Sequence, residues 1–501
     1  MEVKPDSPFG GDGLGAAVEG LKAEIRDLYL ADNVPWIIGY SGGKDSTAVL
    51  QLIWLAIAEI LPGERHKAIH VITTDTGVEN PVVAQWVLRS HKALADAAQA
   101  QHMPINVHLL RPELEESFWV NLIGRGYPAP RHKFRWCTER LKIRPSNSFI
   151  SRVVAASGEA ILVLGSRKAE SVTRARTMLR HERSRTRARL SPNAGLPGTL
   201  IYTPVEDWSN DEVWMFLMQV QNPWGHGNRD LLTMYQGASA GGECPLVVDT
   251  STPSCGDSRF GCWVCTLVDK DKSMSAMIQN DQDKEWLQPL LDLRNALDFR
   301  SGSGDGRSSD RHLRDFRRMN GDVQLLNDRP IPGPYLQSAR EDWLQRLLEA
   351  QTWVRRNGPE DIRQDFTLVT LAELQEIRRL WVLEKHELED SLPRIYAKAT
   401  GQEYPGAPLD AAGGPVQDYM EVLAEVCGAD RLHYELVREL LSVERRQRHR
   451  ARRAGLFDEL ERAFRRSYYD SVDDAVDMAR RQAEAKAGVG KASRLHARIE
   501  A

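Results

Sequence analysis

The sequence predicts an α/β protein: a parallel-sheet domain, a cysteine-rich segment after it, and a largely helical C-terminal region. Three observations carry this prediction. Between residues 34 and 214 short apolar runs alternate with helical patterns, as in a sheet whose parallel strands are joined by helices. Between about 220 and 275 that periodicity fades, and glycine, proline and cysteine take over. From about 276 onward, stretches such as "REDWLQRLLEAQTWVRR" and "FDELERAFRRSYYDSVDDAVDMARRQAEAKA" repeat apolar residues at spacings of three and four.

In chain order, residues 1–20 read as a disordered tail, 21–220 as the sheet domain, 221–275 as the cysteine-rich segment and 276–501 as the helical region. Strands are expected at Trp36–Tyr40, Ala68–Thr74, Ile105–Leu110 and Ala160–Gly165, with helices at Thr47–Leu61 and Pro81–Ala100 between them. Ligands of such sheets sit at the carboxyl ends of the strands. "RSGSGDGRSSD", near 300–310, reads as a linker.

The bulk composition is that of an ordinary globular protein, with 42% hydrophobic and 27% charged residues. A net charge of −4 means that any nucleic-acid contact must come from local basic patches. The longest apolar stretch, Thr47–Leu61, is broken by Gln51 and Glu59 and is shorter than a bilayer requires, and the first residues hold no signal core. A cytoplasmic protein without a membrane segment is the expectation. In that compartment clustered cysteines suggest metal or catalysis instead of disulfides.

The first strand runs into Ser41-Gly42-Gly43-Lys44-Asp45-Ser46. Glycines let backbone N–H groups approach an anion, the following helix offers its positive end, and Lys44 adds a full charge, so the stretch suits a phosphate cradle. A Walker A loop is excluded: its first glycine would fall at Ile38, and Asp45 stands where it needs Ser or Thr. Thr74-Asp75-Thr76-Gly77 ends the second strand; it can present a carboxylate to a sugar or magnesium, or simply cap a helix start.

The S-G-G-K-D-S stretch resembles the PP-loop of the ATP pyrophosphatase superfamily. Downstream, Asp75-Thr76-Gly77, then Cys137, Lys142 and Pro145, then Gly165, Arg167, Glu170 and Ser171, then Pro204, Asp207, Trp208, Asp211, Val213 and Trp214 resemble, in order, the motifs of the adenylyl sulfate (PAPS/APS) reductase branch. The resemblance implies ATP with Mg2+ held by Ser41, Gly42, Gly43, Lys44, Ser46, Asp75, Gly165 and Arg167. It also implies sulfur chemistry in which Lys44, Asp45 and Cys137 are the candidate catalytic residues.

Cys244, Cys255, Cys262 and Cys265 follow at C-x10-C-x6-C-x2-C spacing, which suits structural zinc or an iron–sulfur cluster alike. The reductase resemblance implies a 4Fe–4S cluster, with zinc the alternative. Where cluster-bearing relatives begin a Cys-Cys pair, this chain has Cys137 followed by Thr138. Cys137 is then either a cluster ligand beside Cys262, Cys265 and one of Cys244 or Cys255, or a thiol that carries persulfide sulfur. Arg135, Arg140 and Lys142 nearby are expected to lower its pKa. Cys427 lies in a helical pattern and reads as a core cysteine.

Residues 167–190 hold nine basic residues against two acidic ones, and Arg174, Arg176, Arg180, Arg183 and Arg185 are the candidate nucleic-acid contacts. A solvated helix face is the competing reading. "RRQRHRARR", from Arg445 to Arg453, is a second basic cluster suited to DNA or an acidic partner.

"STPSCGDSRFGCWVCTLVDKDKSM", together with "NPWG" at 222–225, "RDFRRMNG" at 314–321 and "IPGPY" at 331–335, resembles the DndC-type proteins of bacterial DNA phosphorothioation. That resemblance implies an ATP-dependent sulfurtransferase that replaces a non-bridging oxygen of the DNA backbone with sulfur. Its implied partners are DNA, a cysteine desulfurase as sulfur donor, and the other Dnd proteins, DndD and DndE. A tRNA thiolase and an adenylyl sulfate reductase share the loop and stand as alternatives; a nucleotide-binding iron–sulfur sensor would not require Lys44 or the full set of motifs.

Overall fold

The computed structural model describes residues 13–131, 134–185, 187, 189–239, 261–299, 310–409, 417–448, 453, 455–467, 469–482 and 484–485. The chain forms two compact units. The first comprises residues 1–113, 130–295 and 357–365, the second 114–129, 296–356 and 366–501.

In the first unit the described chain begins with helix α1 (Gly13–Leu30), so the tail expected over 1–20 is helical from residue 13. The reason is visible in burial: Val18, Ile25 and Tyr29 seat α1 on the core, and the Tyr29 hydroxyl donates to the Lys67 carbonyl at 2.9 Å. There follow β1 (Trp36–Gly39), α2 (Lys44–Ala58), β2 (Ile69–Thr74), α3 (Pro81–Ala100), β3 (Ile105–Leu110), α4 (Arg144–Ser157) and β4 (Ala160–Val163). After them come α5 (Val172–Arg183), β5 (Ser191–Pro192), β6 (Thr199–Tyr202), α6 (Asn210–Gln219), α7 (Asn228–Gly237), α8 (Lys272–Asn280) and α9 (Gln288–Leu297), of which α9 runs to the border of the unit.

The sheet order is β3-β2-β1-β4-β6-β5; all pairs are parallel except β5 with β6. The expected parallel α/β sheet is therefore present, with a short antiparallel edge. Trp36 and Ile38 of β1 join a core with α1, α2, α3, α6 and α7, while Ile37 faces Phe149 and Ile150 of α4. Burial on both faces explains why β1 reads "WIIG" and β4 "AILV" without alternation. Because β2 lies on one side of β1 and β4 on the other, the crevice at the carboxyl end of β1 is the switch point where ligands of such sheets bind.

The second unit is mainly helical, as expected: α10 (Gln337–Asn357), α12 (Leu371–Arg379), α13 (Leu392–Thr400), α14 (Gln417–Cys427), α15 (Arg431–Gln447) and α16 (Leu456–Ser467). The four-residue α11 (Glu360–Arg363) lies in the segment that packs with the first unit. Trp343, Leu344, Leu347, Leu348 and Trp381 are buried in the second unit, and Arg340 forms a buried ion pair with Glu387. Its two-stranded hairpin turns at Asn327 and Asp328, both at positive φ (48° and 57°), as a tight hairpin turn between twisted strands requires. Cys427 is half-buried at the end of α14. No helix among the described residues is long and apolar enough to cross a membrane.

Candidate functional site

The loop between β1 and α2 is shaped by contacts that admit glycine alone. Gly42 has φ of 73°, and a Cβ there would meet Val87 Cγ2 at 2.6 Å, while Trp86 Nε1 donates to the Gly42 carbonyl at 3.1 Å. Ser46 Oγ donates to the Gly43 carbonyl at 3.0 Å and stands 3.1 Å from Ser41 Oγ, so the two hydroxyls cross-link the loop. Gly43 is the N-cap of α2 and gives it no side-chain cap, which leaves backbone donors at the helix start for an anion.

Lys44 Nζ lies 3.2 Å from Asp45 Oδ2, and the other Asp45 oxygen accepts from Arg167 Nε at 2.7 Å. The Arg167 guanidinium is buried and also donates to the Trp208 carbonyl at 3.1 Å. This ties three of the spaced motifs together: the loop, the residues after β4 and the Asp-Trp pair after β6. Asp207 takes Lys168 Nζ at 2.7 Å, and Ser209 caps α6 with Glu212 in a capping box. Gly165 has a steric reason: a Cβ would sit 2.9 Å from the Asp45 carbonyl carbon and oxygen and 3.0 Å from Ser46 N. These are backbone atoms that cannot swing aside. Gly165→Ala is expected to push β4 from the start of α2, costing about 1–3 kcal/mol and weakening nucleotide binding; thermal melts and titration calorimetry on the variant check both.

Asp75 accepts from Gly77 N at 3.0 Å and from Arg111 Nε at 2.9 Å, so its carboxylate shapes its own turn. The cap of α3 is Asn80 instead. The same turn reaches the cysteines. Glu79 forms a β-bridge with Cys262, Trp263 N donates to the Val78 carbonyl at 2.9 Å, and Thr76 Oγ1 lies 3.5 Å from Cys262 Sγ. Cys137 begins a π-helical stretch, Thr138–Ile143, that carries Lys142 into α4. Helical irregularities of this kind recur at functional sites.

Cys137, Cys262, Cys265, Lys142 and Glu79 share one electrostatic neighbourhood. Cys262, once ionised, and Glu79 hold the Lys142 ammonium above its usual range, against the pull of burial. Burial pushes the Cys262 thiol up to about 11 despite Lys142, and burial pushes Glu79 up as well. The Cys137 thiol is also raised, first by burial, with Cys265 adding to the shift. The lowered Cys137 pKa expected from Arg135, Arg140 and Lys142 is thus corrected: desolvation outweighs the hydrogen bonds at Thr138 that favour the thiolate.

Soft thiols beside a cation suit zinc or an iron–sulfur cluster chemically. Among the described residues, however, no three His, Cys, Asp or Glu side chains already stand together as a metal site. Cys244 and Cys255 lie outside the described residues.

Arg294 was not singled out by the sequence. It is fully buried, and its guanidinium donates to the carbonyls of Cys265 (3.2 and 3.1 Å), Asp269 (3.2 Å) and Val268, and to Asn295 Oδ1 at 3.0 Å. The chain after Cys265 is folded around this side chain. Arg294→Gln leaves several of those acceptors unsatisfied; a stability loss of at least about 3 kcal/mol is expected, with faster alkylation of Cys265, measured by denaturant titration and mass mapping.

The basic candidates lie along or just beyond α5, which follows the carboxyl end of β4. Arg174 pairs with Glu170, and Arg185 with Glu206 at 2.7 Å. Arg187 and Arg189 are likewise met by Glu159 and Glu24. Acidic residues distant in sequence thus answer part of the run. Arg176, Arg180 and Arg183 are exposed and form no ion pair among the described residues. The Arg445–Arg453 cluster is only partly among the described residues.

Residues 35–225, mostly within the first unit, match the family model of the phosphoadenosine phosphosulfate reductase domain. A curated relative is an uncharacterized protein of Methanocaldococcus jannaschii, 28% identical over 200 residues, which are 40% of this chain and 35% of that protein. The chain therefore spans about a third of that relative's length. Among solved structures, phosphoadenylyl-sulfate (PAPS) reductase from Candida auris in a phosphate complex is similar at 12% identity over 44% of this chain and 88% of that one, with a TM-score of 0.26. The U34-tRNA thiolase NcsA from Methanococcus maripaludis with its 4Fe–4S cluster is similar at 15% identity over 56% of this chain and 79% of that one, with a TM-score of 0.27.

Proposed function

We propose that the protein is an ATP-dependent sulfurtransferase that adenylates a DNA backbone phosphate and replaces a non-bridging oxygen with sulfur. The observation that carries this reading is that the loop after β1 and the cysteine-bridged turn after β2 leave the carboxyl ends of adjacent parallel strands. The glycine-rich loop suited to phosphate follows β1, and the turn after the neighbouring β2 is bridged to the Cys262 segment.

The chemistry proceeds in two displacements. A non-bridging oxygen of the substrate phosphate attacks the α-phosphorus of ATP; the new P–O bond forms as the bond to pyrophosphate breaks. Lys44, the loop N–H groups and magnesium would stabilise the charge gathering on the leaving group. The phosphate oxygen has then become part of an anhydride, and a sulfur nucleophile forms P–S as AMP departs with that oxygen. Sulfur arriving as a Cys137 persulfide would leave a P–S–S–Cys linkage. A second thiol opens it to the phosphorothioate and a cysteine disulfide, which an external thiol reductant returns to the reduced state.

A 4Fe–4S cluster, with zinc the alternative, would be held by Cys244, Cys255, Cys262 and Cys265, and when bound would supply a site for soft sulfur ligands. The exposed arginines of α5 would meet the DNA backbone, and a cysteine desulfurase, DndD and DndE would be the partners. The reading is tested with purified protein, sulfide and radiolabelled ATP. Pyrophosphate and AMP released only when DNA is present support it; release driven by tRNA transfers the activity to a thiolase, and reduction of adenylyl sulfate without ATP to a reductase.

A further inference from the structure

We propose that Tyr235 is a phosphate-binding residue of the nucleotide site, presenting a neutral hydroxyl to the anion beside Lys44. The inference rests on the reading that the loop after β1 takes ATP. Tyr235 belongs to α7, nearly two hundred residues beyond the loop, and to none of the motifs that mark the site.

Its hydroxyl accepts from the Lys44 backbone N–H at 3.4 Å. That donor belongs to the first turn of α2, whose N-cap Gly43 supplies no side-chain cap. A Cβ on Gly43 would lie 3.3 Å from the same hydroxyl, so the missing side chain is what lets the phenol approach. Lys44 Nζ stands 5.6 Å from the centre of the Tyr235 ring, so the ring face holds the ammonium by a cation–π contact near the cradle. Both the cation and the helix donor of the site are thus in contact with this one residue.

The phenol is also held in place. Trp214 packs edge-on at 5.2 Å, Ser239 Oγ donates to the Tyr235 carbonyl at 2.8 Å, and Asn280 Nδ2 donates to the Gly237 and Ser239 carbonyls at 3.2 and 3.0 Å. Burial keeps the phenol protonated, well above its usual range. A hydroxyl can accept from an N–H and donate its proton to an anion at the same time. A phosphate at the start of α2 would receive the helix donors, the Lys44 charge and the Tyr235 hydroxyl together, and the phenol adds no charge to be desolvated.

A purely structural alternative exists: the hydroxyl only caps α2 from afar. Tyr235→Phe separates the two, because it keeps the ring against Lys44 and Trp214 and removes one oxygen. Binding of ATP and of adenosine to full-length protein is measured by calorimetry, with thermal melts on the same samples. A phosphate contact predicts about tenfold weaker ATP binding with adenosine binding unchanged, since hydrogen bonds to charged groups are among the stronger ones. Equal affinity for ATP in wild type and variant, or equal losses for ATP and adenosine, overturns the assignment. If wild-type protein binds no ATP, the nucleotide reading itself fails and this inference fails with it.

Discussion

Arg167→Gln is expected to destabilise the first unit by about 3 kcal/mol and to abolish measurable ATP binding. The guanidinium is buried and clamps Asp45 at 2.7 Å while holding the Trp208 carbonyl. Removing one member of a buried pair leaves a partly desolvated charge behind, at a cost of about 3–5 kcal/mol. The lower figure applies because Asp45 is partly exposed and keeps Lys44 at 3.2 Å. The functional loss is expected to be larger than the structural one: an Asp45 released from Arg167 would draw Lys44 fully to itself, and the proposed cradle would lose its cation. Chemical denaturation and calorimetric titration separate the two effects. Unchanged ATP affinity in a destabilised variant would mean that the pair is scaffolding only.

The second large effect concerns the cysteines. Cys262→Ser and Cys265→Ser are each expected to lose most of the bound metal of protein purified under anaerobic conditions. Cys137→Ser is expected to keep its metal and lose sulfur transfer. The distinction follows from position: Cys262 is bridged to Glu79 in the turn after β2 and the Cys265 carbonyl is held by Arg294, whereas Cys137 stands at the start of its own π-helical stretch. Metal analysis and visible spectra on the three variants decide it. Loss of metal from Cys137→Ser would make that thiol a ligand and remove it from the role of sulfur carrier.

Much of this site was legible in the sequence because its parts are local. An apolar run, two glycines and a lysine announce a strand, a tight loop and a helix start. The helix Pro81–Ala100 was readable to its ends because Asn80 is a cap and Pro81 suits a first turn. What could not be read depends on contacts between residues far apart in the chain. Tyr235 meets Lys44 across 191 residues, and nothing in "LLTMYQG" marks it out. Arg294 looks like any helical arginine until the carbonyls after Cys265 close around it. Helix α1 hides behind a glycine-rich start, since its stability comes from Ile25 and Tyr29 packing and not from propensity. The basic run of α5 looked stronger in sequence than it is, because Glu206, Glu159 and Glu24 arrive from other elements.

The central claim is that the Lys44 loop drives sulfur insertion into DNA, and mass spectrometry of nuclease-digested DNA and tRNA from the native host tests it most directly. Cells carrying the wild-type protein are compared with cells carrying Lys44→Ala. The account predicts sulfur-containing dinucleotides in wild-type DNA that disappear in the variant, with thiolated tRNA bases unchanged. DNA without such dinucleotides, together with a thiolated tRNA base that vanishes in Lys44→Ala, would contradict it.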